Sequence, residues 1–475
     1  MTANLFAGLA LGTLASVGVA GAAACGPAQA PTPPTAPGIS AAPPSPPPAP
    51  APSTASDPPE DPASHEAHLI QRTLRRVEAA RGIQSNKVIP GVLLERTALI
   101  ARVKQHVARE LPPEAIRNEG LELVLFGFLP AGFDYETAEY KLLEDQLAGY
   151  YEPADGTMYM ANDLADAEAS ATLAHELVHA LQDQRWNLED RSKYRAGEGD
   201  LSEAVSALAE GDATSAMFDV MIAANAPASR KSAIDIPDTV FVEQIEQGMS
   251  QGPGASAPHI MRSSLAAPYI YGTLFVHQLR RHGGWNEVNR AWDNPPTTTE
   301  QMLHPEKWRT QEPAVTVPAP TFAALGPGWK IADEDSEGEL GVRLAFEEWM
   351  DAATAADASE AWGGDRAVLL TNGERVATGW TLQYDRTGKT HTEHAQFAFE
   401  EVKRGLAKAL GKPAVSTARF VCHERGDRGP IAVEQSMNRL VFVMGPAKIT
   451  AGRWASSGDC ALAGRWANEI AKDRP

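Results

Sequence analysis

The chain has 475 residues, with 61 acidic against 42 basic side chains and a net charge of −19 at pH 7. That balance argues against a nucleic-acid partner, because a phosphate-binding surface needs clustered Lys and Arg. The length is enough for two or three domains with cores of their own.

Residues 1–24 form an apolar run rich in Ala, Leu, Gly and Val that ends in small residues before Cys25. This reads as a secretory signal, although the first residues lack the usual positive charge. A small-residue stretch closing on Cys resembles the bacterial lipoprotein signal, with Ala22 where a Leu is commoner. That resemblance implies cleavage before Cys25 and lipidation of its thiol. A lone transmembrane anchor fits less well, since the run is small Ala and Gly rather than Leu and Ile. Residues 26–63 are nearly all Pro, Ala, Ser and Thr. Such a segment cannot build a core and favours an extended, semi-rigid spacer. Signal, lipid and spacer together predict a domain held off a membrane on the exported side of a bacterial envelope. Gly26 lacks the Asp that would retain a lipoprotein at an inner membrane, so the outer membrane is the expected address.

Helical spacing follows over residues 68–81, 92–111, 114–125 and 135–147, separated by Gly, Pro and Asp turns. These segments are expected to pack around what comes next. Residues 149–163, GYYEPADGTMYMAND, read as a β-hairpin with its turn at 153–156. It is suited to serve as a substrate-binding edge or simply as structure.

Residues 170–186, SATLAHELVHALQDQRW, contain His175, Glu176 and His179 on a helix without Gly or Pro. Positions i and i+4 share a helix face, so both imidazoles can aim at one point. Zinc accepts neutral imidazoles in a tetrahedral site that keeps a position open for water. Glu176 points elsewhere and is placed to accept a proton from that water. Leu173, Leu177, Ala180 and Leu181 give the helix a buried stripe.

A third ligand is expected from the helix predicted over 202–220, which carries Glu203 and Glu210 seven residues apart on nearly one face. Glu210 is favoured, because Ala209, Gly211 and Ala213 beside it would let this helix approach the first closely; Glu203 is the alternative. Asp212 is a candidate acceptor behind a ligating imidazole. Residues 224–259 are less regular, and helices are predicted over 264–281 and 285–292 and from 295 onwards. A donor opposite the metal would stabilise an oxyanion, and His304 and Tyr271 are the candidates.

Pro-rich residues 317–330 mark a boundary, giving a larger domain over 64–318 and an accessory one over 319–475. The accessory part interleaves predicted helices (340–351, 394–410, 460–471) with strands (367–371, 376–384, 419–423, 438–444). That predicts a small α+β layer, ferredoxin-like in plan. Besides Cys25 only Cys422 and Cys460 remain. They are expected to pair in an oxidising compartment. The pair His391 and His394 is read as solvated rather than metal-binding.

HELVHALQDQ followed by AEGDA resembles the gluzincin metallopeptidases, which place HExxH on one helix and a Glu on the next. It resembles more specifically a group of bacterial, often lipoprotein-like, metallopeptidases that share GYYEP and the later PYIYGTLFVHQLRRHGGW and TTTEQMLHPEKW. The likeness covers residues 149–308. It implies a mostly helical zincin-like domain, one zinc ion, and hydrolysis of a protein or peptide substrate. In thermolysin-like members the third ligand follows the second His more closely than Glu210 follows His179, so spacing leaves Glu203 open. The expectation is thus an α+β, membrane-tethered zinc metallopeptidase. The alternative is a binding or scaffold lipoprotein that keeps the zincin fold without turnover.

Overall fold

The computed structural model describes residues 62–226, 231–251, 254–385 and 391–472, so Cys25 and its signal lie outside the described residues. The protein is mixed α+β, with a helical part carrying a three-stranded sheet and a second part built on an eight-stranded sheet.

Helix α1 (Pro62–Arg81) leads to strand β1 (Gly91–Leu94) and helix α2 (Arg96–Glu110). Residues 92–94 were expected inside a helix. They are a strand because β1 pairs in parallel with β3, from Gly91↔Met158 to Leu94↔Ala161, and that pairing overrides helical spacing. Helix α3 (Ala115–Phe126) closes on Gly127, whose φ of 94° is the left-handed cap that suits glycine. Helix α4 (Tyr135–Gln146) is started by Asp134, which accepts from the Thr137 N–H. The hairpin β2 (Gly149–Glu152) and β3 (Thr157–Ala161) completes a sheet of order β1-β3-β2, with β2 at an edge.

Helix α5 (Asp166–Trp186) carries the HExxH residues, the short α6 (Leu188–Arg191) follows, and α7 (Gly199–Asn225) carries the glutamates. Helix α8 (Asp238–Gln251) lies in the stretch expected to be irregular. Helix α9 (His259–Asp293) is kinked where Gly283 and Gly284 leave helical geometry. Short helices α10 (Thr299–Leu303) and α11 (Pro305–Thr310) follow. The small residues beside Glu210 bring α7 against two helices: the Ala209 carbonyl accepts from Gln182 Nε2 of α5 at 3.0 Å, and Gly211 meets α9. A Cβ on Gly211 would stand 2.1 Å from the Gly272 carbonyl, and one on Gly272 would stand 1.9 Å from the Ala207 oxygen.

The second part runs through β4 (Lys330–Asp335), α12 (Gly338–Glu347), α13 (Ala352–Ser359), β5 (Trp362–Asn372) and β6 (Arg375–Tyr384). Helix α14 (His391–Leu410) crosses to β7 (Val415–Ser416), β8 (Phe420–His423), β9 (Ile431–Ser436) and β10 (Arg439–Thr450). Strand β11 (Arg453–Ser456) and α15 (Cys460–Lys472) end the described chain. The sheet is antiparallel in order β4-β5-β6-β10-β9-β8-β7, with β11 also on β10. A ferredoxin-like plan is therefore not what forms. The hairpin at Asn372 and the return of β10 between β6 and β9 make a wider meander than the predicted strands allowed, because β4, β7, β9 and β11 were missed. Cys422 on β8 and Cys460 at the start of α15 form a disulfide, with Cα atoms 5.9 Å apart.

The expected border at residue 318 separates two sheets but not two cores. Phe126 of α3 stacks on Trp349 and meets Trp380 edge-on, and Trp380 in turn packs on Phe442 of β10. The loop entering α12 ties the parts polar group by polar group. Asp200 of α7 accepts from the Thr299 N–H and hydroxyl and donates its own N–H to the Ser336 carbonyl. No helix among the described residues is long and apolar enough to cross a membrane.

Candidate metal centre

His175, Glu176 and His179 sit on the buried middle of α5, and Glu210 approaches from α7; His175 is 1% exposed and the other three are 0% exposed. The ring atom Nε2 of His175 lies 3.0 Å from Glu210 Oε2 and 3.0 Å from His179 Nε2, while His179 Nε2 is 3.6 Å from the same carboxylate oxygen. One ligand atom from each of the three lies within 4.8 Å of the others. Two imidazole nitrogens and a carboxylate oxygen meeting in a dry space would offer three donors to a cation placed between them. Glu210 also keeps a buried oxygen, Oε1, without a hydrogen-bond partner. Two imidazoles and a carboxylate converging in this way are the donor set that suits zinc.

Charges follow from the packing. Burial works to lower the His179 pKa, but the Glu210 carboxylate outweighs it and pushes the ring up to about 9. Burial would likewise raise Glu210, yet the two histidines hold it below the ordinary carboxylate range. Burial lowers His175. Glu176 is raised well above its usual value by burial. Its Oε2 accepts from the Tyr151 N–H of β2 at 2.8 Å, and its Oε1 is buried without a partner.

Glu203 lies one heptad before Glu210 and is buried, but it is not in the cluster. Desolvation, then the Glu210 charge, push it up to about 8, so near neutral pH it is a protonated acid and a poor ligand. Of the two glutamates the geometry selects Glu210.

Asp212 does not accept from an imidazole. The acceptor of His179 Nδ1 is Gln182 Oε1 at 2.8 Å, and Asp212 stands one step further back, receiving Gln182 Nε2 at 3.2 Å and Trp292 Nε1 at 2.8 Å. Gln182 was missed, although its position three residues after His179 on one helix face was available as a signal. Tyr271 is also displaced from its expected role: it lies under the Arg343 guanidinium, 5.0 Å from the ring centre, and burial raises its pKa to about 12. The aromatic at the site is Tyr269, two residues earlier on α9, whose ring stacks on His175 at 6.0 Å. His304 joins α10 to α11 and pairs with Glu339 at 3.0 Å rather than with the histidine pair. A second convergence of carboxylates, Glu300, Glu312 and Asp385, already encloses the Lys307 ammonium at 2.6, 3.0 and 3.0 Å. That centre is filled by the protein's own cation.

A family profile described as a domain of unknown function, DUF8575, matches residues 329–453, which cover most of the second sheet. No curated protein matches the chain. Among solved structures, the chain is similar to one described as a "putative hydrolase with a novel fold" from Chloroflexus aurantiacus. The identity is 15% and the TM-score 0.32, over 54% of this chain and 93% of that one.

Proposed function

We propose that this protein is a zinc-dependent peptide hydrolase of the gluzincin kind, tethered to a bacterial membrane through Cys25. The observation that supports it most is the convergence of His175, His179 and Glu210 with Glu176 on the adjoining helix position. Zinc held there would act as a Lewis acid and lower the pKa of a water. Burial keeps the Glu176 carboxyl protonated until a cation beside it lowers its pKa; with zinc held there, Oε1, the oxygen left without a partner, would take a proton from water while the Tyr151 N–H fixes Oε2, and would pass it to the departing nitrogen. Tyr269 would hold the His175 ring in place by stacking on it. Strand β2, at the sheet edge with its backbone against Glu176, is the surface along which an extended peptide would add. An exported, oxidising address accords with the Cys422–Cys460 disulfide.

One observation favours a second reading, a zincin-fold scaffold lipoprotein without turnover. All four site residues are closed off from solvent, so a substrate reaches them only if the walls part. Metal analysis and peptide cleavage by the wild type and Glu176→Gln separate the two. One zinc per chain with cleavage lost in Glu176→Gln supports the hydrolase. One zinc without cleavage of any protein or peptide library supports the scaffold, and no zinc after reconstitution defeats both. Loss of labelled palmitate from Cys25→Ala tests the tether.

A further inference from the structure

Behind His179 runs a line of buried polar groups that ends on the first described helix. His179 Nδ1 meets Gln182 Oε1 at 2.8 Å. An amide presents one acceptor and one donor end, and here the donor end is committed: Gln182 Nε2 reaches the Ala209 carbonyl at 3.0 Å and Asp212 Oδ2 at 3.2 Å. Both are acceptors, so the amide cannot flip, and Oε1 must face the imidazole. An acceptor facing Nδ1 requires a proton on Nδ1 and leaves Nε2 to face His175 and Glu210.

What holds Asp212 is equally committed. Arg81, the last residue of α1, is fully buried and grips both Asp212 oxygens through Nε and Nη2. Its guanidinium lies against Trp285 and Trp186, with its centre 4.4 and 5.8 Å from the ring centroids. Trp292 Nε1 adds a further donor to Asp212. The carboxylate is thus saturated from three sides and presents a fixed acceptor to Gln182.

Resting on the metal-centre reading above, we propose that Gln182, oriented by the Asp212–Arg81 pair, is the positioning residue that fixes the ring proton of His179 on Nδ1 and directs Nε2 to the metal. The metal affinity of α5 and α7 then depends on α1 being docked, because α1 supplies the guanidinium that anchors the line. The commoner partner of a ligating imidazole is a carboxylate, carbonyl or water; here a neutral amide intervenes and keeps the Asp212 charge one residue away from the ligands.

The test uses the full chain, zinc alone as probe and a competing chelator to read affinity. Gln182→Leu removes the acceptor and is expected to weaken zinc binding about 10- to 100-fold. Arg81→Met is expected to move affinity in the same direction. Gln182→Glu puts a second carboxylate against Asp212 and should also weaken binding. Long-range proton–nitrogen correlation on the ring of His179 gives a readout that simple loosening of the fold would not move. A slowly exchanging Nδ1 proton is expected in the wild type and a rapidly exchanging one in Gln182→Leu. Zinc bound with unchanged affinity by a folded Gln182→Leu overturns the inference alone. A slowly exchanging Nδ1 proton in that folded variant does the same. A wild type that takes up no zinc overturns the metal-centre reading and this inference with it.

Discussion

Glu203 and Glu210 lie two turns apart on one buried helix, yet they take opposite protonation states. Glu210 meets two imidazoles and stays ionised, whereas Glu203 meets desolvation and the charge of Glu210 itself, and holds its proton up to about 8. Glu210→Gln is therefore expected to lower zinc affinity at least tenfold. Glu203→Gln, which resembles the protonated acid in shape and charge, should leave it within twofold at pH 7; chelator competition reads both. Glu176→Gln should retain zinc while cleavage falls about 10²- to 10⁴-fold, since its carboxyl lies beside the cluster rather than in it. His175 and His179 were legible in the sequence because helix periodicity brings i and i+4 to one point, and Glu176 because it stands between them in the motif. Arg81 was not, because its partner Asp212 lies 131 positions away. Tyr269 and Tyr271 show the same boundary of inference. Residues two apart on a helix point about 200° away from each other, so Tyr269 stacks on His175 while Tyr271 meets Arg343.

Helices α7 and α9 meet backbone to backbone, and this contact sets the position of Glu210. Gly211 has no room for a single methyl: its Cβ would lie 2.1 Å from both the carbon and the oxygen of the Gly272 carbonyl. Backbone atoms cannot rotate aside, so Gly211→Ala must push the helices apart. The expected cost is about 3 kcal/mol or more, seen as a lower denaturation midpoint in urea, together with weaker zinc binding because Glu210 is the adjoining residue. The small residues signalled a close approach to α5, and the structure adds a tighter one to α9 that the spacing did not mark. The strand at 91–94 was misread for a related reason. Val92, Leu93 and Leu94 satisfy a helical stripe, and only the parallel partner at Met158–Ala161 makes them a strand.

At the scale of the whole molecule, buried acids make stability depend on pH in an unusual direction. Burial pushes both Glu122 and Glu139 from about 4.5 to about 8. Thr378 explains how Glu122 is accommodated. Its hydroxyl lies 2.8 Å from both Glu122 and the Val368 carbonyl and has one proton to give, so a protonated Glu122 can donate to Thr378 while Thr378 donates to Val368. The folded state keeps these protons where the unfolded chain has released them. Their contribution is fully present below about pH 4.5 and is lost as pH rises through about 8, at about 1.4 kcal/mol per pH unit for each acid. Thermal midpoints should fall between pH 5 and pH 8, and the double change Glu122→Gln with Glu139→Gln should flatten that slope. The acids themselves were visible in the sequence, but nothing in the spacing of 114–147 marked Glu122 as buried against the second sheet or Glu139 as buried at all.

The matched stretch 329–453 is a unit of descent without being a unit of folding. Its sheet is finished on one side by Phe126 of α3 against Trp380, and on the other by α15, whose Trp466 shares a core with Val441 and Val443. Both finishing pieces lie outside the stretch, and so does Cys460. A gene trimmed to the recognisable module would bare the apolar face under α15 and remove Phe126 from the other face, which α12 and α14 otherwise cover. Such a fragment should sediment as aggregate and bind a dye for exposed apolar surface, while the chain from residue 62 to 472 stays monodisperse. Domain shuffling would therefore have to carry more than the matched stretch, and cuts placed at its two ends would leave out pieces that cover its sheet.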